Sequence, residues 1–179
     1  EKYKRRYPNQ SLASQVIGFV SEGTIGTGGI EQYYNSTLSG VDGRKYKYLN
    51  EELEQDSSIV EPENGKTVVT TIDSNIQKLA EDQLSKFEKK YGSKGSSILV
   101  MNPNNGEIYA MVNVPEYDLN DPFSLSAKKR KANSKKQQEY LNKKWRNSCL
   151  NDTYEPGSIF KIVTATAGLE SSKVSVNDH

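Results

Sequence analysis

Hydrophobic and polar positions change period several times along this chain, and each change marks an element. From Lys66 the pattern is sharpest. Thr67-Val68-Val69-Thr70-Thr71-Ile72 is β-branched throughout and predicts a strand. Asp73 stands where an N-cap belongs, and Ile76, Leu79, Ala80, Leu84 and Phe87 recur at helical spacing. A helix is therefore predicted from Asp73 to about Tyr91, with those residues as its apolar face and Gly92 to end it. Two apolar runs, Ser97 to Met101 and Glu107 to Val112, flank Asn102-Pro103-Asn104-Asn105-Gly106, which predicts a hairpin. Both strands are apolar on nearly every position, so helices are expected on both faces of the sheet. Strand, helix and hairpin in that order give an α+β fold class.

Residues 1–64 read differently, being rich in Gly, Tyr, Ser and Asn. Ser11 to Val20 carries a short apolar stretch at Val16, Ile17, Phe19 and Val20. Ile30 to Tyr34 predicts a short helix and Ser39 to Gly43 a turn. The run from Ser21 to Gly29 holds four glycines, but no strand, Lys-Ser/Thr pair or ribose-binding acid stands where a nucleotide site needs it. Flexible turns account for it. The chain thus divides into 1–64 and 65–179.

Composition adds bounds. The 179 residues are 34% hydrophobic and 26% charged, wetter than a compact domain usually is. No apolar run approaches the roughly 18 residues a membrane span needs. The chain opens on Glu1 without a signal peptide and stops at Asp178-His179 soon after a helical stretch, so it is expected to be a piece of a longer protein. A Lys/Asn-rich composition points to a low-GC Gram-positive source. The net charge of +1 hides an asymmetry, because Ala127 to Arg146 carries nine cationic side chains against one carboxylate, Glu139. Nucleic acid is the first partner such a run suggests, yet only Tyr140 and Trp145 could stack on bases and no groove-reading motif is present. The run is read as a solvated helix or loop, with attraction to an anionic envelope surface as the alternative. No nucleic acid is expected as a partner.

Chemistry concentrates after Pro156-Gly157, where a largely apolar helix is predicted to begin. Ser158 sits on its first turn and Lys161 three residues on, so their Cβ atoms lie roughly 5–6 Å apart on one face. A serine hydroxyl needs a base to become a nucleophile, and a lysine can serve only when its amine is neutral. Phe160, Ile162 and Val163 flank Lys161 on a helix apolar enough to be buried, which favours the neutral amine. The helix N-terminus beside Ser158 can stabilise an oxyanion. Spacing alone proves little. Ser126-Ala127-Lys128-Lys129 repeats it inside the lysine-rich stretch, where the amine is solvated. The rival reading of Ser158 and Lys161 is a polar surface pair at a helix end.

Tyr154-Glu155-Pro156-Gly157-Ser158-Ile159-Phe160-Lys161 resembles the nucleophile motif of the class B (monofunctional, high-molecular-mass) penicillin-binding proteins, with Ile159 where that family often has Thr. The resemblance extends along the chain. Arg6-Tyr7-Pro8, Ser11-Leu12-Ala13, Val16 to Val20 and Gly29 to Tyr34 are similar to the family's N-terminal dimerisation or pedestal domain. Thr70 to Asp73 with Ile76-Gln77, Met101-Asn102-Pro103 with Gly106 to Met111, and Arg146-Asn147 resemble the opening of its transpeptidase domain. The resemblance implies a partial pedestal domain at 1–64 and the start of a penicillin-binding/β-lactamase-like transpeptidase domain at 65–179. It implies Ser158 as nucleophile and Lys161 as its base in D,D-transpeptidation, with the D-Ala-D-Ala end of a peptidoglycan stem peptide as substrate and β-lactams acylating the same serine. It also implies a single-pass membrane anchor outside this chain, an extracytoplasmic catalytic domain and cell-wall synthesis proteins as partners. The family's second Ser-x-Asn motif and its Lys-Thr/Ser-Gly strand are expected beyond His179, so this piece alone is expected to be inactive.

No cofactor is required by that chemistry. Cys149, Asp178 and His179 are possible zinc ligands, though a buried inert thiol is the ordinary reading of a lone cysteine. Two other functions compete: a β-lactam-hydrolysing or β-lactam-sensing relative, and a non-enzymatic cell-wall interaction module.

Overall fold

The glycine-rich part of the chain folds because its glycines let backbones meet. In this computed structural model, which describes residues 5–21, 25–49, 55–93 and 95–178, Gly18 adopts φ +74° directly after α1 (Ser14–Ile17). A Cβ there would lie 2.0 Å from the Gly28 carbonyl oxygen, so only glycine lets β1 (Phe19–Val20) pair antiparallel with β2 (Gly26–Thr27). Glu22 to Thr24, within the glycine run, lie outside the described residues. The short helix expected at Ile30 is α2 (Gly29–Tyr33), and α3 (Asn35–Leu38) follows. Then comes an antiparallel ribbon, β3 (Arg44–Leu49) with β4 (Gln55–Val60), that sequence reading did not anticipate. It shows no helix or sheet against either face among the described residues, and β4 is exposed throughout.

The predicted strand at Thr67 to Ile72 does not form. Among the described residues, this segment and the Asp73 that follows it are tied to the neighbouring sheet at two places. Thr71 Oγ1 donates to the Ile108 carbonyl at 2.7 Å, and the Asp73 N–H donates to the Tyr109 carbonyl at 2.9 Å. Strand preference needs a full partner ladder to be realised, and Asp73 turns the chain away first. The Asp73 carboxylate accepts from the Asn75 and Ile76 N–H groups and starts α4 (Ser74–Tyr91), which Gly92 ends at φ +63°.

The buried stripe of α4 matches the expected apolar face at Ala80 and Leu84 but not at its other three positions. Ile76, Leu79 and Phe87 are exposed, whereas Gln77, Ala80, Glu81 and Leu84 face inward. Ala80 and Leu84 pack on one side of the hairpin β5 (Ser96–Met101) and β6 (Ile108–Val114), against Ala110 and Val112, with Ile98, Val100 and Val114 around them. The polar pair earns its burial through hydrogen bonds. Gln77 Oε1 accepts from the Met111 N–H at 2.8 Å, Gln77 Nε2 donates to the Met111 carbonyl and to Glu81, and Glu81 accepts from the Ala13 N–H at 2.8 Å. The helix thus binds the sheet and the N-terminal segment together.

Helices on both sheet faces were expected, and α4 covers one. Among the described residues the short helix α7 (Ser148–Asn151), which follows α5 (Ala127–Arg130) and α6 (Ser134–Trp145), lies across the other, and Leu99 and Met101 remain exposed. A second core forms where residues 7–20 meet the chain after β6. Phe19, Tyr117 and Leu119 are buried there with Tyr7, Ile17 and Trp145 against them. The Tyr117 hydroxyl donates to the Ser14 carbonyl, and Gln15 Nε2 donates to the Pro115 carbonyl.

Beside this junction Glu116 Oε1 is buried without a hydrogen-bond partner among the described residues. Burial first, and then the charge of Glu81, push its carboxyl up to about 7 from an ordinary 4.5, with Ser11 opposing and Asp82 adding. Lys78 lines the same cleft. The folded state therefore binds this proton more tightly than the unfolded chain does. The associated stability is fully present below about pH 4.5 and is lost as pH rises through about 7. Glu116→Gln is expected to flatten that decline, stabilising the chain by on the order of 1–2 kcal/mol at alkaline pH, after allowance for solvent screening of a half-buried group, and by nothing in acid. Thermal unfolding followed across pH checks this, and equal gains at both ends would contradict it.

Candidate active site

The site begins with a polar seam that fastens the approach to Ser158 onto β6. Asn113 and Asn147 are both buried, and Asn113 Nδ2 donates to Asn147 Oδ1 at 3.0 Å. Asn113 Oδ1 accepts from the N–H groups of Ser148 and Cys149, while Asn147 Oδ1 caps α7 by accepting from Cys149 N–H. Arg146 pairs with Asp152 and donates to the Asn151 carbonyl, closing the loop that follows. These bonds explain why Arg146-Asn147 stands ahead of the motif. The arginine braces the loop and the asparagine anchors it.

Gly157 then takes φ +55° with no heavy atom within 4 Å of an added Cβ, so the position favours glycine for its backbone angle and not for space. A 3₁₀ turn, Gly157–Phe160, carries Ser158 and leads into α8 (Lys161–Glu170). Residues three apart eclipse in a 3₁₀ turn, so Ser158 and Lys161 fall on one face. Phe160 supplies no side-chain cap, and the first N–H of α8, that of Lys161, is instead taken up by the carbonyls of the 3₁₀ turn. The Lys161 backbone N–H donates to the Ser158 carbonyl, but no hydrogen bond joins their side chains among the described residues, and both residues are exposed.

That exposure corrects one expectation. The apolar residues of the motif were expected to bury Lys161, yet Ile159, Phe160, Ile162 and Val163 are between 53% and 71% exposed. Lys161 and the apolar residues around it are therefore in contact with solvent among the described residues. The competing copy is equally solvated. Ser126 occupies the N-cap of α5 and Lys129 Nζ lies 5.3 Å from the Tyr140 ring centroid. Ser175-Val176-Asn177, which sequence reading passed over, spells Ser-x-Asn, but Ser175 Oγ accepts from the Asn177 N–H in a local turn and no hydrogen bond ties it to Ser158 or Lys161 among the described residues.

The candidate metal ligands are not brought together. Cys149 is half-buried with Sγ 3.8 Å from the Val112 carbonyl oxygen, and burial pushes its thiol up, away from the thiolate a metal needs. Asp178 accepts from the Ser175 N–H at 2.7 Å, and His179 lies outside the described residues. Among the described residues no three His, Cys, Asp or Glu side chains gather as a metal set. Sequence reasoning also missed Asn113, and it named Gln77 without its bonds to Met111, because a polar residue beside apolar ones gives no signal of which backbone it will satisfy.

Two family models match the chain: the penicillin binding protein A dimerisation domain over residues 1–58 and the penicillin binding protein transpeptidase domain over residues 96–179. Stage V sporulation protein D of Bacillus subtilis is 34% identical over 96% of this chain and 25% of its own length. A probable peptidoglycan D,D-transpeptidase, PbpC, of Pseudomonas aeruginosa is 33% identical over 99% of the chain and 29% of its own length. A solved peptidoglycan synthetase from Bifidobacterium adolescentis superposes with a TM-score of 0.74 at 25% identity, over 97% of this chain and 29% of that one. The chain spans between a quarter and a third of the length of each of these two curated relatives. With both domain models in order along it, the chain belongs to the penicillin-binding proteins, in their class B.

Proposed function

We propose that the protein to which this chain belongs is a peptidoglycan D,D-transpeptidase in which Ser158 is the nucleophile and Lys161 its base. The observation that carries the reading is the placement of Ser158 in a 3₁₀ turn directly after a positive-φ glycine, with Lys161 three residues on at the first position of α8, within the stretch matched by the transpeptidase model. Ser158 Oγ attacks the carbonyl carbon of the penultimate D-Ala, and its proton passes to the Lys161 amine. The tetrahedral oxyanion collapses, the C–N bond breaks and the terminal D-Ala leaves with a proton, so an ester remains on Ser158. An amine of a second stem peptide then takes the acyl group and Ser158 recovers its hydrogen. A β-lactam enters the same route, but its opened ring stays attached because the leaving amine is part of the acyl group.

In this reading no metal or cofactor is used, and Cys149 is a structural thiol. The groups that desolvate Lys161, relay the proton and hold the substrate carboxylate come from parts of the protein outside this chain. A single-pass membrane anchor, an extracytoplasmic location, contact with other cell-wall synthesis proteins and a Gram-positive source complete the proposal. Two features support it: the relatives' names and the uncovered apolar face of α8.

Intact mass after incubation with benzylpenicillin tests it. The full-length protein is expected to gain one stable penicillin adduct, and this chain alone none. An adduct that hydrolyses rapidly would make the protein a β-lactam hydrolase instead. A folded full-length protein without any adduct would leave a non-enzymatic module.

A further inference from the structure

The lysine-rich run, which the acyl-transfer reading does not use, folds into a defined surface. Gln137 Nε2 donates to the carbonyls of Arg130 and Ala132, fastening α5 to the start of α6. Asn133 caps α6 by accepting from the Lys136 N–H. One side of α6 faces inward: Leu141 is buried, and Trp145 stacks in the second core, 5.0 Å from the Phe19 ring and 5.3 Å from Phe123. At 3.6 residues per turn, Lys136 and Lys143 fall on the opposite side with Glu139 beside them, and Lys135 lies on the adjoining flank, all exposed. Lys129 sits over the Tyr140 ring, which sets the cations of α5 alongside that outer face. Two strips of charge therefore merge into one.

Few of these charges are spent inside the protein. Lys144 donates to the Pro122 and Ser124 carbonyls, and Arg146 pairs with Asp152. The cations at 128–131, with Lys135, Lys136 and Lys143, are exposed and have no ion pair to a carboxylate among the described residues. Since the whole chain carries only +1, the remainder of it is net acidic, and this strip is where its positive field concentrates.

We propose that the outer face of α5 and α6 docks on a bilayer surface bearing anionic phospholipid headgroups. Charge complementarity carries the choice of occupant, and the chemistry of the face selects among polyanions. Base recognition needs aromatic platforms, but Trp145 is turned inward and Tyr140 is covered by Lys129. Seven of the nine cations in the run are lysines, compact point charges that suit phosphate without demanding a fixed orientation. The outer side of a helix is convex, so its flexible ammonium groups reach a plane of headgroups together but cannot enclose a thread. With its leucine and tryptophan turned inward, the face offers charge without a wedge to insert, and docking is electrostatic and reversible. The proposal stands on this strip and not on the chemistry of Ser158.

Co-sedimentation of this chain with vesicles tests it. Binding is expected to vesicles of phosphatidylglycerol mixed with phosphatidylcholine, to be absent with phosphatidylcholine alone, and to weaken as salt rises. Each neutralised lysine should lower affinity roughly fivefold, so Lys135→Gln, Lys136→Gln and Lys143→Gln combined should cost on the order of a hundredfold. The matched control is Lys86→Gln, Lys89→Gln and Lys90→Gln on the exposed side of α4, which makes the same change in net charge and should leave binding within about twofold of native. Circular dichroism confirms that both variants fold. Equal losses in the two variants would reduce the effect to net charge and overturn the proposal. So would no binding to anionic vesicles, or tighter binding to duplex DNA or to a soluble glycerol-phosphate polymer than to the vesicles.

Discussion

In the full-length protein Ser158→Ala is expected to abolish the penicillin adduct, and Lys161→Ala to slow its formation by on the order of 10²–10⁴-fold. The two effects differ because the serine supplies the atom that becomes acylated, whereas the lysine only receives its proton. Water can replace a base badly, but nothing replaces the oxygen. The chain contains its own control. Ser126 and Lys129 share the Ser-x-x-Lys spacing and also stand at a helix start, and both are solvated. If spacing and exposure were enough, Ser126→Ala would lower adduct formation too. It is expected to change nothing, because α5 is a single turn in a field of cations with no apolar face to draw a lid over it. Time-resolved intact mass, with peptide mapping of the adduct, separates the variants. Labelling that survives Ser158→Ala or maps to Ser126 would sink the assignment.

Legibility followed how local the determining physics was. Asp73 and Gly92 bracket α4 because a cap and a left-handed terminator act within one turn of themselves. The hairpin from Ser96 to Val114 was readable because Asn-Pro-Asn-Asn-Gly between apolar runs leaves few other conformations. The inward face of α4 was readable only at Ala80 and Leu84, since spacing ranks apolar residues and cannot know that Gln77 will be satisfied by both backbone groups of Met111, 34 positions away. The strand predicted at Thr67 to Ile72 failed for a related reason: its partner ladder is set by the sheet and not by the segment. In the candidate site, the order Pro-Gly-Ser and the three-residue step to Lys161 were legible. The seam of Asn113 and Asn147 that fixes its approach was not, and neither was the exposure of α8, because burial depends on what lies across from a helix.

Phe19 joins two parts of the chain that sequence reading treated separately, and its removal is the largest stability loss expected. It is 1% exposed, with the rings of Trp145, Phe123 and Tyr117 at centroid distances of 5.0, 5.4 and 6.3 Å. Phe19→Ala forfeits the transfer of a buried ring and leaves a cavity that three other rings cannot collapse into, at a cost of about 3–5 kcal/mol. The lost edge contacts belong to that cost, since aromatic pairs contribute about 0.5–1.5 kcal/mol beyond buried area. Phe19→Leu keeps most of the volume and should cost clearly less. Phe87 is the contrasting case. It is 47% exposed and touches Tyr91, so Phe87→Ala should cost no more than about 1 kcal/mol. Denaturant unfolding of the three variants measures the differences, with an unchanged slope showing that stability alone has moved. A typical domain has only about 5–15 kcal/mol in reserve. The loss at Phe19 should therefore free residues 7–20 from the chain after β6 and expose them to protease before α4 and its hairpin give way, because Ala80, Leu84, Ala110 and Val112 form a core of their own. Simultaneous cleavage of both parts would show instead that the bond from Ala13 to Glu81 and the aromatic cluster unfold with the sheet as one unit.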